Sequence, residues 1–147
     1  MRDEIRHDCL LQVLQTATVL WRESRRFFRP FGLTDAQFNV LNLVAKHPAG
    51  LSQRELGDLM VVDRSNITLL VDRMQRKGWI RRLEVPEDRR AYRLVLTQKG
   101  LTLWKKVNPK YLNAIDIATK NIDAAAIGIV IASLKNLEID ANGWRNK

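Results

Sequence analysis

Apolar side chains recur at helical spacing from Asp3 to Phe28, at Ile5, Cys9, Val13, Leu14, Ala17, Leu20, Trp21, Phe27 and Phe28, with Ser24 on the same face. The spacing predicts one long amphipathic helix. It is expected to end near Arg29, because Pro30 disfavours an α conformation at the residue before it and Gly32 follows closely. Nothing nearby in sequence offers this helix an apolar partner, so it is expected to pack against something distant or against another subunit.

The pattern then shortens. Thr34 is suited to cap a helix over Asp35 to Lys46, with Phe38, Leu41, Asn42 and Ala45 on one face. Pro48 and Gly50 break the chain. Ser52 with Glu55 three residues on has the capping-box spacing, and it opens a short helix whose Leu56 and Leu59 are expected to point inward. Met60-Val61-Val62 reads as a turn. Asp63 is placed to cap a helix to about Lys77, with Ile67, Leu70, Val71 and Met74 along its inner side and Gly78 as its stop. Trp79 to Glu84 and Tyr92 to Leu96 have strand character, and the charged, turn-rich run Val85 to Ala91 between them predicts a hairpin loop. Thr97 then caps a long helix through Trp104, Val107 and Leu112 to about Lys120, with Pro109 as a kink. Asp123 caps a last helix carrying Ile127, Ile131, Leu134 and Leu137.

This order predicts a mainly α fold with a small β-hairpin wing: a winged helix-turn-helix with long N- and C-terminal helices. Residues 31–100 form the expected DNA-binding region. Residues 1–30 and 101–147 form a helical dimerisation region, the whole being one intertwined domain.

Charge sharpens the picture. The 147 residues carry 25 Lys and Arg against 16 Asp and Glu, a formal charge of +9, which favours a polyanionic partner. Its distribution matters more than its sum. Asp63 to Arg93 holds nine cations against five anions, whereas Phe31 to Val62 holds two against three and reads as support. A second basic group, Arg22, Arg25, Arg26 and Arg29, precedes Pro30. The first residues have mixed charge and no apolar run after them, so a secretory signal is not expected. The longest nearly apolar stretch, Ala124 to Ala132, is well short of the ~20 residues that span a bilayer. A cytoplasmic protein with no membrane partner is expected, and the lone Cys9 excludes an internal disulfide.

The helix ending at Lys77 is the expected reader. Its outward set is Arg64, Ser65, Asn66, Thr68, Leu69, Asp72 and Arg73, with Arg76 and Lys77 following. Asn and Arg make bidentate contacts to adenine and guanine edges, Ser and Thr hydroxyls reach base edges or phosphate, and Leu69 suits a thymine methyl. A polar outer face alone occurs on most surface helices. The order of elements carries the argument: a capped short helix, a capped basic helix, a glycine stop, and a hairpin with Asp88-Arg89-Arg90 at its tip, suited to the negative potential of the minor groove.

The run Leu33 to Leu41, the run Leu51 to Leu56, Arg64-Ser65-Asn66-Ile67-Thr68, and above all Arg73 to Arg82 with Glu87 to Tyr92 and Leu96 to Gly100 resemble the MarR family of winged-helix regulators. The resemblance is strong from about Leu33 to Gly100 and rests on pattern alone at both ends. It implies a homodimer whose terminal helices interleave, and binding to double-stranded DNA at a pseudo-palindromic operator. A repressor with no cofactor, modulated by a small-molecule effector bound between the dimerisation helices and the reading region, is the function it implies. It also implies that Asp88 orients Arg90, since a carboxylate bonded to guanidinium fixes a mobile side chain. A plain turn role for Asp88 stands beside that reading.

Trp21, Phe27, Phe28, Phe38 and Trp104 are candidates to line an effector pocket, although aromatics at helical spacing are more often core. Cys9 invites comparison with thiol-based oxidant sensors of the same family. No Tyr stands in the first helix and Val13 lies one turn on, so a buried structural cysteine is expected instead. His7 and His47 support no metal site. A non-specific architectural DNA-binding protein is the reading from a different class. Catalysis has no motif: there is no glycine-rich phosphate loop, no nucleophile elbow and no metal-ligand pair at helical spacing.

Overall fold

The computed structural model describes residues 2–60, 66–86 and 88–143, with the backbone alone at positions 2 and 88–90. The expected turn at Val61-Val62 and the cap at Asp63 lie outside the described residues. Two compact units divide the chain, Met1–Asn108 and Pro109–Lys147.

In the first unit, α1 (Arg2–Phe28) ends where the sequence places its stop. A 3-10 turn, Arg29–Phe31, carries Pro30 and closes on Gly32 at φ 67°, whose N–H bonds back to Arg29. Ser24 Oγ then donates to Asp35 Oδ1, which fastens α1 to the first turn of α2 (Asp35–Lys46). Phe28 stacks on Phe38 with ring centroids 4.6 Å apart. Thr34 caps α2 through a full capping box with Gln37, satisfying two backbone N–H groups that the helix itself leaves orphaned.

The core is built on α2. Val40, Leu41 and Val44 pack with Leu56 of α3 (Gln53–Leu59), Val71 and Met74 of α4 (Ile67–Arg76), Ile80, and Leu94, all essentially buried. Each such side chain contributes roughly 1.5–3 kcal/mol by leaving water. Ser52 and Glu55 form the expected capping box on α3. Leu59 does not point inward as expected: it is 45% exposed. It is the last residue of a seven-residue helix, and the extended backbone of Met60 turns that side chain into the core in its place.

Gly78 stops α4 in a left-handed conformation at φ 71°. Its N–H bonds to Gln75 O at 2.9 Å and that of Trp79 to Met74 O at 3.0 Å, the paired bonds of a Schellman motif. Strand β1 (Ile80–Val85) pairs antiparallel with β2 (Asp88–Leu96). β1 has the expected length shifted by one residue, whereas β2 begins at Asp88 rather than Tyr92, so the connection is shorter than the sequence suggests. Val85 stands opposite Asp88, with a bulge beyond Glu84, and β1 gives way to the turn at Pro86. Charged side chains do not bar a strand on an exposed hairpin, because the ladder is made by backbone groups; the proline, which has no N–H to give, falls at the turn. Leu51 adds a reciprocal pair of backbone bonds to Leu94 at 3.1 and 2.7 Å and ties the wing to the start of the helix-turn-helix.

Thr97 opens α5 (Gln98–Thr119), its Oγ1 accepting from Gly100 N–H at 3.0 Å and donating to Gly78 O at 2.6 Å. The helix lies so close to Trp79 that a Cβ on Gly100 would stand 1.9 Å from the Trp79 carbonyl oxygen. Trp104 Nε1 donates to Asn42 Oδ1 at 3.2 Å, and Val107 is fully buried. Pro109 lies inside α5, which continues through it.

In the second unit, Asp123 Oδ1 accepts from Ala125 N–H at 2.8 Å and caps α6 (Ala124–Asn142), as expected. No residue of α6 is buried within the chain; Ile129 is 70% exposed and Ile139 68%. From Ala124 to Ala132 only Gly128 interrupts the apolar run, so the start of α6 is apolar on every side.

Candidate nucleic-acid interface

The outer arc of α4 is where the sequence places it. Asn66, Thr68, Leu69, Arg73 and Arg76 are exposed, while Val71 and Met74 beneath them are fully buried. Asn66 stands at the helix start without bonding its side chain to the backbone there. Leu69 is half exposed, an apolar group offered to solvent among polar ones. Arg64 and Ser65 lie outside the described residues. Lys77 is exposed at the end of α4, its ammonium 4.4 Å from the Trp79 ring centroid and its carbonyl accepting from Lys99 Nζ at 2.8 Å.

Asp72 is not free to face a groove. Its Oδ1 accepts from Arg82 at 2.8 Å, and the same guanidinium donates to Gln75 Oε1, so β1 is fastened to the outer flank of α4. The guanidinium also lies 4.9 Å from the Tyr92 ring centroid. Asp72 is the main reason that the Arg82 pKa is raised above its ordinary value, and the charge is fixed at any working pH. Tyr92 in turn donates to Gln53 Oε1 at 3.1 Å, and Gln53 Nε2 donates to Thr68 Oγ1 at 2.7 Å. One polar chain thus joins the wing, α3 and α4.

Of these groups, sequence reasoning singled out Thr68 and did not single out Gln53, Arg82 or Tyr92, which the hydrogen bonds bring together with it. One signal was available: Ile80 and Arg82 share the inner side of β1, so the alternation puts a guanidinium where an apolar residue is due.

Behind the wing, Arg93 donates to Gly50 O at 3.1 Å and to Glu55 Oε2 at 3.4 Å. The Glu55 carboxyl is held below the usual carboxylate value, first by the Ser52 N–H of the capping box. Asp88, Arg89 and Arg90 occupy the first positions of β2, beside the turn, rather than a loop.

The effector candidates do not form one group. Phe28 and Phe38 are stacked core residues, and Phe27 meets Phe28 edge-on at 5.0 Å and Phe31 at 5.7 Å. Trp21, a turn and a half earlier, is 43% exposed, and Trp104 is held by Asn42. Cys9 is exposed, contrary to the expected burial, as are the residues around it from Asp3 to Asp8 at the start of α1. Among the described residues no cluster of His, Cys, Asp and Glu is arranged to hold a metal ion, and no single helix is long and apolar enough to cross a membrane.

Comparison with known proteins gives this geometry a lineage. A model of the MarR family matches residues 31–91, the span from the 3-10 turn into the wing. The multiple antibiotic resistance protein MarR of Escherichia coli is 30% identical over 114 residues, 76% of this chain and 77% of that protein. The chain belongs to the MarR family. A Thauera aromatica protein ascribed to regulation of the hcr operon is 33% identical over 106 residues, which are 72% of this chain but only 63% of that relative's length. Among solved structures, CouR of Rhodococcus jostii in complex with p-coumaroyl-CoA superposes with a TM-score of 0.78 at 22% identity, covering 88% of this chain and 91% of that one. Members of the MarR family are DNA-binding transcriptional regulators and not enzymes, and this winged helix is one of them.

Proposed function

We propose that the chain acts as a homodimer on a pseudo-palindromic operator, with α4 in the major groove and the wing tip in the adjoining minor groove. The observation that carries this reading is the exposed arc of α4, held rigid from behind by buried Val71 and Met74 and from the side by Arg82. Asn66, Thr68 and Leu69, with Arg64 and Ser65 before them, read base edges. Arg73, Arg76 and Lys77 bind phosphate. Arg89 and Arg90 enter the minor groove, with Asp88 orienting Arg90.

Dimerisation is supported by apolar surface that this chain leaves uncovered. Ile5, Leu14 and Leu20 on α1, and Ile129, Ile131 and Ile139 on α6, are all at least half exposed. A helix apolar on every side is stable in water only when other elements surround it, and a second copy supplies them. Residues 1–30 and 101–147 form that interface. A dimer seated on two half-sites covers a promoter and represses by occlusion.

An aromatic or anionic small molecule releases it; the complex of CouR with p-coumaroyl-CoA supports looking first among coenzyme A esters. Light scattering on the full chain tests the dimer. A stable monomer at micromolar concentration contradicts the assignment, as does a chain truncated before Asp123 that still dimerises.

A further inference from the structure

The polar chain that runs from the wing to α4 fixes the hydrogen-bonding polarity of one groove-facing side chain before any DNA arrives. A primary amide has one accepting end and one donating end. The Tyr92 hydroxyl occupies the accepting end of Gln53 at 3.1 Å, so the amide turns its NH2 toward α4 and donates to Thr68 Oγ1 at 2.7 Å. The Thr68 oxygen is therefore engaged as an acceptor. Its hydroxyl hydrogen is left to point away from Gln53, and among the described residues no acceptor takes it. Tyr92 is held in place by the Arg82 guanidinium over its ring, and Arg82 is fastened to Asp72, one turn along α4 from Thr68. A cation beside a phenol makes it the better donor, which reinforces the direction of the chain.

We propose that Thr68 determines specificity by presenting a hydroxyl donor to the major groove, and that Gln53 and Tyr92 are positioning residues that set this polarity. The proposal rests on α4 being the reader helix. A donor at this point selects an acceptor edge: guanine N7 or O6, thymine O4, or adenine N7. It discriminates most strongly against cytosine, whose one polar group in the major groove is a donor amine.

Selection of binding sites by the full-length protein from a randomised duplex library gives the base preference at each position of the half-site. Wild type is expected to show one position at which cytosine is disfavoured by about tenfold. Thr68→Val, which keeps the shape and removes the hydroxyl, flattens that position alone. Tyr92→Phe flattens it as well, because a freed amide can turn either end to Thr68, and it leaves the dependence of affinity on salt unchanged.

Gln53→Glu gives the sharpest outcome. A carboxylate only accepts, so the Thr68 hydrogen turns toward it, the Thr68 oxygen faces the groove as an acceptor, and cytosine becomes favoured over guanine at the same position. Circular dichroism confirms that each variant is folded, and if Tyr92→Phe is not, Gln53→Glu decides by itself. Persistence of the wild-type preference in Gln53→Glu overturns the proposal, as does a Thr68→Val profile identical to wild type while Arg73→Ala weakens binding. If Arg73→Ala also leaves affinity and every base preference intact, the reader-helix reading itself has failed, and the proposal with it.

Discussion

Replacing Arg82 with Met is expected to destabilise the protein by about 2 kcal/mol, although it removes only one of many cations from a strongly basic chain. The side chain is about one-third exposed, 30%, and its partner Asp72 is at 40%, so the ion pair is only partly screened. An exposed pair contributes about 0.2–1 kcal/mol and a guanidinium over an aromatic ring about 0.5–1 kcal/mol. Loss of the further bond to Gln75 and the unpaired carboxylate left at Asp72 bring the total to about 2 kcal/mol. Arg81→Met is the control: it deletes the same charge from the neighbouring, outward position of β1, where the side chain is exposed, and is expected to stay within about 0.5 kcal/mol of wild type. Urea unfolding at one fixed protein concentration measures both, since the stability of a dimer depends on concentration. A cycle with Asp72→Asn isolates the pair, with an expected coupling of about 1 kcal/mol. Equal losses for Arg82→Met and Arg81→Met would refute the claim that this guanidinium holds the wing to the reader.

Gly100→Ala is expected to cost about 3 kcal/mol, because its Cβ would collide with the Trp79 carbonyl, and thermal unfolding at one fixed protein concentration measures the loss. Ser52→Ala removes the α3 cap and costs about 1 kcal/mol. The Glu55 pKa is lowered on folding, so its stabilisation is complete above the ordinary value of 4.5 and is lost as pH falls through the folded value; Glu55→Gln, which keeps the cap without titrating, is expected to flatten that acid limb of the stability curve. Arg90→Ala is expected to weaken operator binding by about 1–3 kcal/mol per half-site and to reduce its salt dependence, while Lys120→Ala, beyond α5, changes little. Asp88→Ala reproduces part of the Arg90 defect if the carboxylate orients that guanidinium, and leaves binding equal or tighter if it only repels phosphate.

Local grammar carried most of the fold. Thr34, Ser52, Thr97 and Asp123 cap the helices the sequence assigns to them, and Gly78 stops the reader in a left-handed turn, because capping and glycine conformations are decided within a few residues. Interactions that depend on distant partners were not legible. The bond from Tyr92 to Gln53 spans 39 residues and that from Gln53 to Thr68 spans 15, and no periodicity encodes either. Leu59 and Met60 differ by one position, and only the extended backbone of Met60 decides which is buried. The spacing on α1 carries no information on what covers its apolar positions, which is why Cys9 was expected inside and lies outside. For the aromatic candidates the ordinary reading prevails at Phe28 and Phe38, which serve the core.

Recognition of DNA by sequence and by a dimer makes two demands that one experiment can read together. A footprint with stoichiometric titration on a duplex from a promoter it controls, set against a scrambled duplex at the same salt concentration, tests it most directly. Two chains per duplex are expected, with inverted protected half-sites about one helical turn apart or a multiple of it and a preference of ~10³ or more over the scrambled duplex. Equal affinity for both duplexes, with protection that follows no symmetry, would contradict it and leave a basic protein that binds DNA by charge alone.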